Sequence, residues 1–429
     1  MDLKQPNRRQ FLKKGTVLAG LAVGGVRLAR GETRDSPVPD ERGFQIPYGA
    51  PSRFESITRI TVPGQAPYLA SGLTPIQDLV GMITPSSLHF YQVRFHDFPP
   101  AVDPRQHRLM IHGLVERPLS FSVDELKRLP SVSRVHLMEC HGNTSWPGGY
   151  HNGFRSIQYS HGKTSCSLWT GVALSTLLRE AGVKKEGAWV FAESADSGRH
   201  WKCIPMETAM DDVMVAYGQN SEALRPENGY PIRLLVPGAA GVNSVKYVRR
   251  IKVVDEFSPF SYGGSFRERD GKIEWWDFKL GVKSVITRPS SGQRLTAGAG
   301  FYEITGLAWS GEGAIRKVEV SLDAGRTWKD AQLHDPVLRK AHTRFTFPWT
   351  WDGQETIMQS RATDEHGTVQ PSLMEFARIR RFTPPEPVVF RGFTTEFFKL
   401  PEIPPTQSMV NAIQPWRITR EGSVENAEL

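Results

Sequence analysis

The sequence predicts an α+β domain followed by an all-β sandwich. Three observations carry this prediction. From about residue 85 to 275, short β-like runs alternate with short helical stretches, without a regular βαβ repeat. Beyond about residue 284, alternating strands separated by turn residues take over. The 429 residues include 39 Gly, 31 Pro and 11 Trp, a composition that favours strands and turns over long helices. A chain of this length holds two or three domains, each able to bury its own core.

The elements follow in order. Asn7-Arg8-Arg9-Gln10-Phe11-Leu12-Lys13 is a twin-arginine pattern, and an apolar stretch runs from Gly15 to Val26. That stretch is too short and too weakly hydrophobic to span a membrane, but it suits the apolar region of an export signal. Twin-arginine signals are bacterial export addresses, so the expected location is the periplasm, with no membrane span. Residues 1–40 are therefore set apart as signal and arm, and 41–84 read as an N-terminal wrapping segment.

Residues 85–280 form the α+β domain. Ser122-Val123-Asp124-Glu125-Leu126 predicts a capped helix start, with Glu125 three residues after Ser122. Leu174–Ala181 predicts a second helix, ended by Gly182. Tyr230–Pro237 reads as a buried strand bounded by prolines. Ser244–Val248 leading into Ile251–Val254 reads as a strand pair. Residues 281–382 form the sandwich: Phe301–Ser310 and Arg316–Leu322 alternate, and Asp323-Ala324-Gly325 reads as a hairpin turn. Thr383-Pro384-Pro385-Glu386-Pro387 opens a C-terminal extension over 383–429.

The formal net charge of +8 is dispersed. With no Lys/Arg run interleaved with aromatics, nucleic acid is not an expected partner. The balance fits an anionic small substrate or an acidic protein. No C-x-x-C-H is present for covalent haem, and no C-x-x-C or H-E-x-x-H for zinc. Only three cysteines occur: Cys140, Cys166 and Cys203. Cys140 stands in Glu139-Cys140-His141-Gly142-Asn143, after the β-like Val135, Leu137 and Met138. A thiol at a strand end, opening into a glycine turn, can face a cleft as thiolate nucleophile or soft-metal ligand. The other reading of these residues is a buried cysteine acting as a small hydrophobe.

The chain resembles the sulfite oxidase family of molybdenum enzymes over nearly its whole length after the signal. Ile83-Thr84-Pro85 followed by Val93-Arg94-Phe95-His96 is similar to the family's F-x-R-x-H segment. Glu139–Asn143 is similar to its cysteine-x-Gly-Asn turn, and Trp169-Thr170-Gly171-Val172 to W-x-G-V. Asn228–Arg233 is similar to H-G-F-P-x-R, and Gly241–Tyr247 to G-x-x-S-V-K-W. Trp309-Ser310-Gly311 and Val320–Trp328 resemble the family's Ig-like dimerisation domain. The motifs stand in the family's order.

The resemblance implies a sulfite-oxidase-type molybdopterin domain and a molybdenum–molybdopterin cofactor, with Cys140 as the protein's metal ligand. His96, Asp196, Asn228, Arg233, Ser244 and Lys246 would meet the pterin and its phosphate. Arg94 would bind both the cofactor and an anionic substrate, and Tyr217 would hydrogen-bond in the active site. Read only as residues, Arg233 also fits a surface salt bridge, Ser244 a turn, and Tyr217 a half-buried strand tyrosine. The implied reaction is a two-electron oxidation at sulfur.

Two departures bear on the substrate. Thr144-Ser145-Trp146 stands where the family places an arginine, and Asn228 replaces its histidine. His141, His151 and His161 stand nearby as replacement charges. A missing cation favours sulfane sulfur held on a carrier protein over free sulfite. With no haem motif in the chain, the expected electron acceptor is a c-type cytochrome, alongside a homodimer core through the sandwich. The apolar parts of the extension, Phe397-Phe398 and Ser408–Trp416, are expected to dock on a partner. Alternatives are a free sulfite dehydrogenase, a sulfoxide reductase of the same fold, a nitrate-reductase-type molybdenum domain and a non-catalytic scaffold.

Overall fold

The computed structural model describes residues 52, 54–61, 70–93, 100–144, 156–196, 200–257, 267–269, 272–274, 279–380, 387–390, 393–398 and 409–427. The chain divides into a leading unit, Met1–Phe54, and a second unit, Glu55–Leu429. The architecture below is that of the second unit. The twin-arginine pattern and the stretch after it lie outside the described residues, as do Arg94, His96 and His151. Among the described residues no helix is long and apolar enough to cross a membrane.

Three short antiparallel strands come first: β1 (Ile60–Thr61), β2 (Ala70–Leu73) and β3 (Tyr91–Val93). Leu73 and Ile76 beside them are fully buried, so this segment contributes to the core.

Two sheets make the central α+β part. One holds β4 (Arg108–Gly113), β5 (Leu119–Ser122), β8 (Trp189–Ser194), β9 (Trp201–Pro205) and β13 (Val248–Val254), in the order β5-β4-β13-β8-β9. The other holds β6 (Val132–Glu139), β7 (Thr164–Ala173), β10 (Met214–Gln219), β11 (Glu222–Ala223) and β12 (Arg233–Leu235), in the order β11-β10-β7-β6 with β12 also on β10. Leu109, Val190 and Ile251 from the first sheet meet Val172, Val215 and Leu234 from the second in one apolar cluster.

Both expected helices form. Val123–Arg128 carries the full Ser122–Glu125 capping box, and its buried Val123 and Leu126 join that cluster. Leu174–Ala181 buries Leu174, Leu177 and Leu178, and ends at Gly182 with φ +69°, a conformation glycine adopts at little cost. The Tyr230–Pro237 run pairs only over β12, because proline has no N–H to give to a ladder. The expected strand pair over 244–254 is instead the single strand β13. Tyr247, at φ +51°, turns the chain just before it.

The sandwich has one sheet of β16 (Lys283–Arg288), β17 (Gly300–Trp309), β20 (Gln332–Leu333) and β21 (Thr343–Trp351), in the order β16-β17-β21-β20. Its second sheet is β18 (Ile315–Ser321), β19 (Lys329–Asp330), β22 (Thr356–Asp364), β25 (Pro415–Ile418) and β26 (Val424–Asn426), in the order β19-β18-β22-β25-β26. Along β21, Phe345, Phe347, Trp349 and Trp351 point inward at every second position. Two separate hairpins are β14 (Arg267–Arg269) with β15 (Lys272–Glu274), and β23 (Pro387–Phe390) with β24 (Phe393–Phe398).

The C-terminal stretch differs from the expected partner-docking extension. β25 and β26 complete the second sheet of the sandwich. Trp416 is buried in the sandwich core, and its indole N–H donates to the Ile286 carbonyl at 3.0 Å. Met409 and Val410 are buried too. The apolar side chains of Met409, Val410 and Trp416 are therefore used by the chain's own core. Phe397 and Phe398 lie in β24. One apolar core also runs without a break from Leu137, Ile157 and Cys166 of the central part into Trp309, Phe345 and Met358 of the sandwich.

Candidate functional site

β6 ends at Glu139, and the next residue, Cys140, opens the turn 141–144. Successive side chains of a strand point to opposite faces. Glu139 accordingly faces the sandwich, while Cys140 packs on the other side against a cluster containing Phe90, Met138 and Trp169. The turn is tightly tied. Cys140 N–H donates to Lys163 O at 2.9 Å, and Asn143 N–H donates to Cys140 O at 2.9 Å. Asn143 Oδ1 accepts from Lys163 N–H at 3.0 Å, and its amide donates to Glu139 Oε1 at 2.9 Å.

Glu139 also accepts from Lys283 Nζ at 2.6 Å and from Trp309 Nε1 at 2.8 Å, both sandwich residues. Both charged side chains are nearly fully buried. Burial pulls the Lys283 ammonium below its ordinary pKa, opposed by the Glu139 carboxylate.

A second cluster of cations lies beside the thiol. Arg233 on β12 is 2 % exposed. It donates to Asn228 O at 2.8 Å, Ser244 O at 2.9 Å and Met138 Sδ at 3.2 Å, and its guanidinium sits 5.3 Å from the Trp169 ring centroid. Burial lowers its pKa to about 10. Lys246 donates to Glu227 O at 2.7 Å, and its pKa falls to about 7 through burial and the neighbouring Arg233. Cys140, Glu227 and Asp196 are close enough to act on it in the other direction. His89 Nδ1 lies 2.8 Å from the Phe90 carbonyl, and burial lowers the ring's pKa to about 3, leaving it neutral. A Cβ on Gly241 would fall 2.9 Å from the Glu139 carbonyl, so glycine lets the 241–244 turn lie against the strand end.

This donor set fits a sulfur-ligated metal on an anionic organic cofactor. Cys140 offers a soft ligand. Among the described residues Arg233 makes no ion pair, and its Nε, like His89 Nε2, is buried without a hydrogen-bond partner. Burying a cation without a carboxylate is costly unless an anion meets it. Among the described residues no cluster of three His, Cys, Asp or Glu could hold a metal.

The structure thus brings together Cys140, Asp196, Asn228, Arg233, Ser244 and Lys246. Within that group Asn228 and Ser244 have structural work. The Asn228 amide donates to Gln219 Oε1 at 3.1 Å, and Ser244 Oγ accepts from Val236 N–H at 3.0 Å. Arg233 is not the surface salt bridge that its residue type alone also allowed. Met214 and Ala216 pack in the Cys140 cluster, while Tyr217, at a register shift in the β10–β7 pairing between Ala216 and Gly218, packs partly buried against the core of Val172 and Leu234. His161 is a correction. It is buried, with Nδ1 2.9 Å from Ser160 Oγ and a pKa well below its ordinary value, so it supplies no charge.

Sequence reasoning missed His89, the stacking role of Trp169, and the partnership of Glu139 with Lys283. For Glu139 there was a local signal, its place beside Cys140. For Lys283 there was none.

Comparison with known proteins places these features. Residues 96–262 match the oxidoreductase molybdopterin binding domain family, and residues 274–380 match the Mo-co oxidoreductase dimerisation domain family. The chain is 31% identical to the mitochondrial sulfite oxidase of Rattus norvegicus over 323 residues, 67% of this chain and 57% of that protein. It is 30% identical to an NADH nitrate reductase of Ulva prolifera over 341 residues, 70% of this chain but only 39% of that one. The crystal structure of the sulfane dehydrogenase SoxCD from Paracoccus pantotrophus matches with a TM-score of 0.77 and 37% identity, covering 94% of this chain and 96% of that one.

Proposed function

Since this chain belongs to the sulfite oxidase family of molybdopterin oxidoreductases, we propose that it is the molybdenum-bearing subunit of a dehydrogenase that oxidises sulfite or carrier-bound sulfane sulfur. The observation that carries this reading is the similarity to SoxCD along almost the full length of both chains. The curated sulfite oxidase and nitrate reductase relatives are matched over only part of their length.

The molybdenum cofactor, when bound, supplies the two-electron redox change and the oxygen-atom transfer. The chain's residues hold and orient it. Cys140 is the thiolate ligand, delivered by the rigid end of β6. Arg233 offers a planar fork, and Lys246 a point charge, to anionic groups of the cofactor. Trp169 and Met138 wall the site and keep water from the Arg233 side. Arg94 is the proposed cation for the substrate's oxyanion.

The region just after the cysteine turn supports sulfane over free sulfite. Thr144 stands where the family has a cation nearby, and its hydroxyl is committed to Lys283 and the Val410 carbonyl, each at 2.7 Å. Neutral His161 adds nothing there. Electrons would pass to a c-type cytochrome subunit, the sandwich would carry a homodimer contact, and the twin-arginine segment would direct the chain to the periplasm.

The test is molybdenum analysis of the wild type and Cys140→Ser, each assayed with cytochrome c as acceptor. Sulfite and a persulfidated cysteine peptide are offered in parallel, and nitrate with a reduced viologen is the contrasting arm. The expected result is about one molybdenum per chain in the wild type, with turnover of the persulfide that is lost in Cys140→Ser. Nitrate turnover with neither sulfur substrate used would overturn the sulfur reading.

A further inference from the structure

The cysteine turn is held on both sides by one residue of the sandwich. Lys283, the first residue of β16, reaches Glu139 Oε1 at 2.6 Å, immediately before Cys140, and Thr144 Oγ1 at 2.7 Å, the last residue of the turn. Both of those partners are poorly able to hold their places alone. Glu139 is a buried carboxylate whose two oxygens receive three donors: Asn143 Nδ2, Lys283 Nζ and Trp309 Nε1. Without the ammonium it is an uncompensated buried charge. Thr144 sits at φ +48°, a left-handed conformation that disfavours a β-branched side chain. Its N–H donates to Ser160 O at 3.0 Å, and its carbonyl accepts from Val410 N–H at 3.2 Å. The chain therefore enters and leaves Cys140 through two residues that share one buried ammonium.

We propose that Lys283 is a positioning residue for Cys140: its ion pair with Glu139 and its bond to Thr144 fix where the sulfur stands, which makes the sandwich a working part of the cofactor site. This inference rests on Cys140 being the molybdenum ligand. Groups that orient a metal ligand from behind typically cost about 10–100-fold in metal affinity or activity when removed. Lys283 acts on the ligand through the backbone of residues 139–144, without touching the cofactor.

The experiment compares three holoenzymes with the wild type: Lys283→Met, the double variant Glu139→Gln/Lys283→Met, and Cys140→Ser. Four quantities are read: the visible sulfur-to-molybdenum charge-transfer absorption, molybdenum retained after dialysis, melting temperature, and kcat and KM separately. Lys283→Met is expected to shift the absorption band, and to lower metal retention or kcat about tenfold or more, with KM little changed. The double variant removes both charges, so its melting temperature recovers towards the wild type. Its band stays displaced, because the tie across the turn is still missing.

A purely structural role predicts the opposite, with band, metal retention and kcat returning along with the melting temperature. That outcome, or an unshifted band in Lys283→Met, overturns the proposal. Should Lys283→Met fail to fold, the double variant alone decides between the two. An absorption spectrum unchanged in Cys140→Ser overturns the ligand assignment beneath it and is distinguishable from failure of the Lys283 inference.

Discussion

Replacing Arg233 by lysine tests whether the buried guanidinium organises the site. Its fork joins three segments: the 226–228 turn through Asn228 O at 2.8 Å, the 241–244 turn through Ser244 O at 2.9 Å, and the end of β6 through Met138 Sδ at 3.2 Å. A lysine keeps the charge but loses the planar fork, so it cannot reach both carbonyls with good geometry. At least one buried carbonyl is left unpaired, at a cost of about 1–3 kcal/mol. The lost stacking on Trp169 costs about 0.5–2 kcal/mol more. The sum, roughly 1.5–5 kcal/mol, corresponds to a drop of about 3–20 °C in melting temperature at roughly 2–4 °C per kcal/mol. The assay is a thermal melt followed by circular dichroism, paired with molybdenum analysis of the same sample. Because Met138 lies two residues before Cys140, metal occupancy is expected to fall as well. A variant that melts within about 2 °C of the wild type and keeps its molybdenum would refute the claim that the fork ties these segments together.

Three further predictions concern Lys246 and the C-terminal strands. Lys246 in the cofactor-free chain titrates at about 7 against an ordinary value of 10.5. Between those values the unfolded chain holds a proton that the folded chain has released. Stability should therefore rise as pH climbs from about 7 to 10.5 and be lost again as pH falls back. Because Lys246 is only half-buried, the slope should stay below the ~1.4 kcal/mol per pH unit of a full proton. Urea unfolding of the apo chain and of Lys246→Met across this range checks it, and parallel curves would remove Lys246 as the source. Trp416→Ala should destabilise the sandwich by about 3–5 kcal/mol, through the lost core volume and the freed Ile286 carbonyl. Truncation after residue 385 should likewise lower the melting temperature, and a truncated chain that melts like the full one would contradict the placement of β25 in the sheet.

Much of this protein is decided within a few residues of chain, and that part was legible. The capping box at Ser122 and the glycine stop at 182 are local hydrogen-bonding and φ preferences. The alternation of β17 and β18 follows from the two-residue period of a strand with one buried face. Cys140 at a strand end, opening into a turn, was readable for the same reason. The order of the motifs then carried the family, because each motif is a short segment. What the sequence could not determine depends on groups that meet only after folding. Where Tyr217 packs is likewise set by tertiary structure, because the β10–β7 pairing shifts register between Ala216 and Gly218. Trp416 looked available to a partner until β25 paired with β22. Lys283 is 144 residues from Glu139 and has no local pattern marking it. An ion pair in a dry interior is selected by the whole packing around it, because only that packing removes the water that would otherwise satisfy both charges.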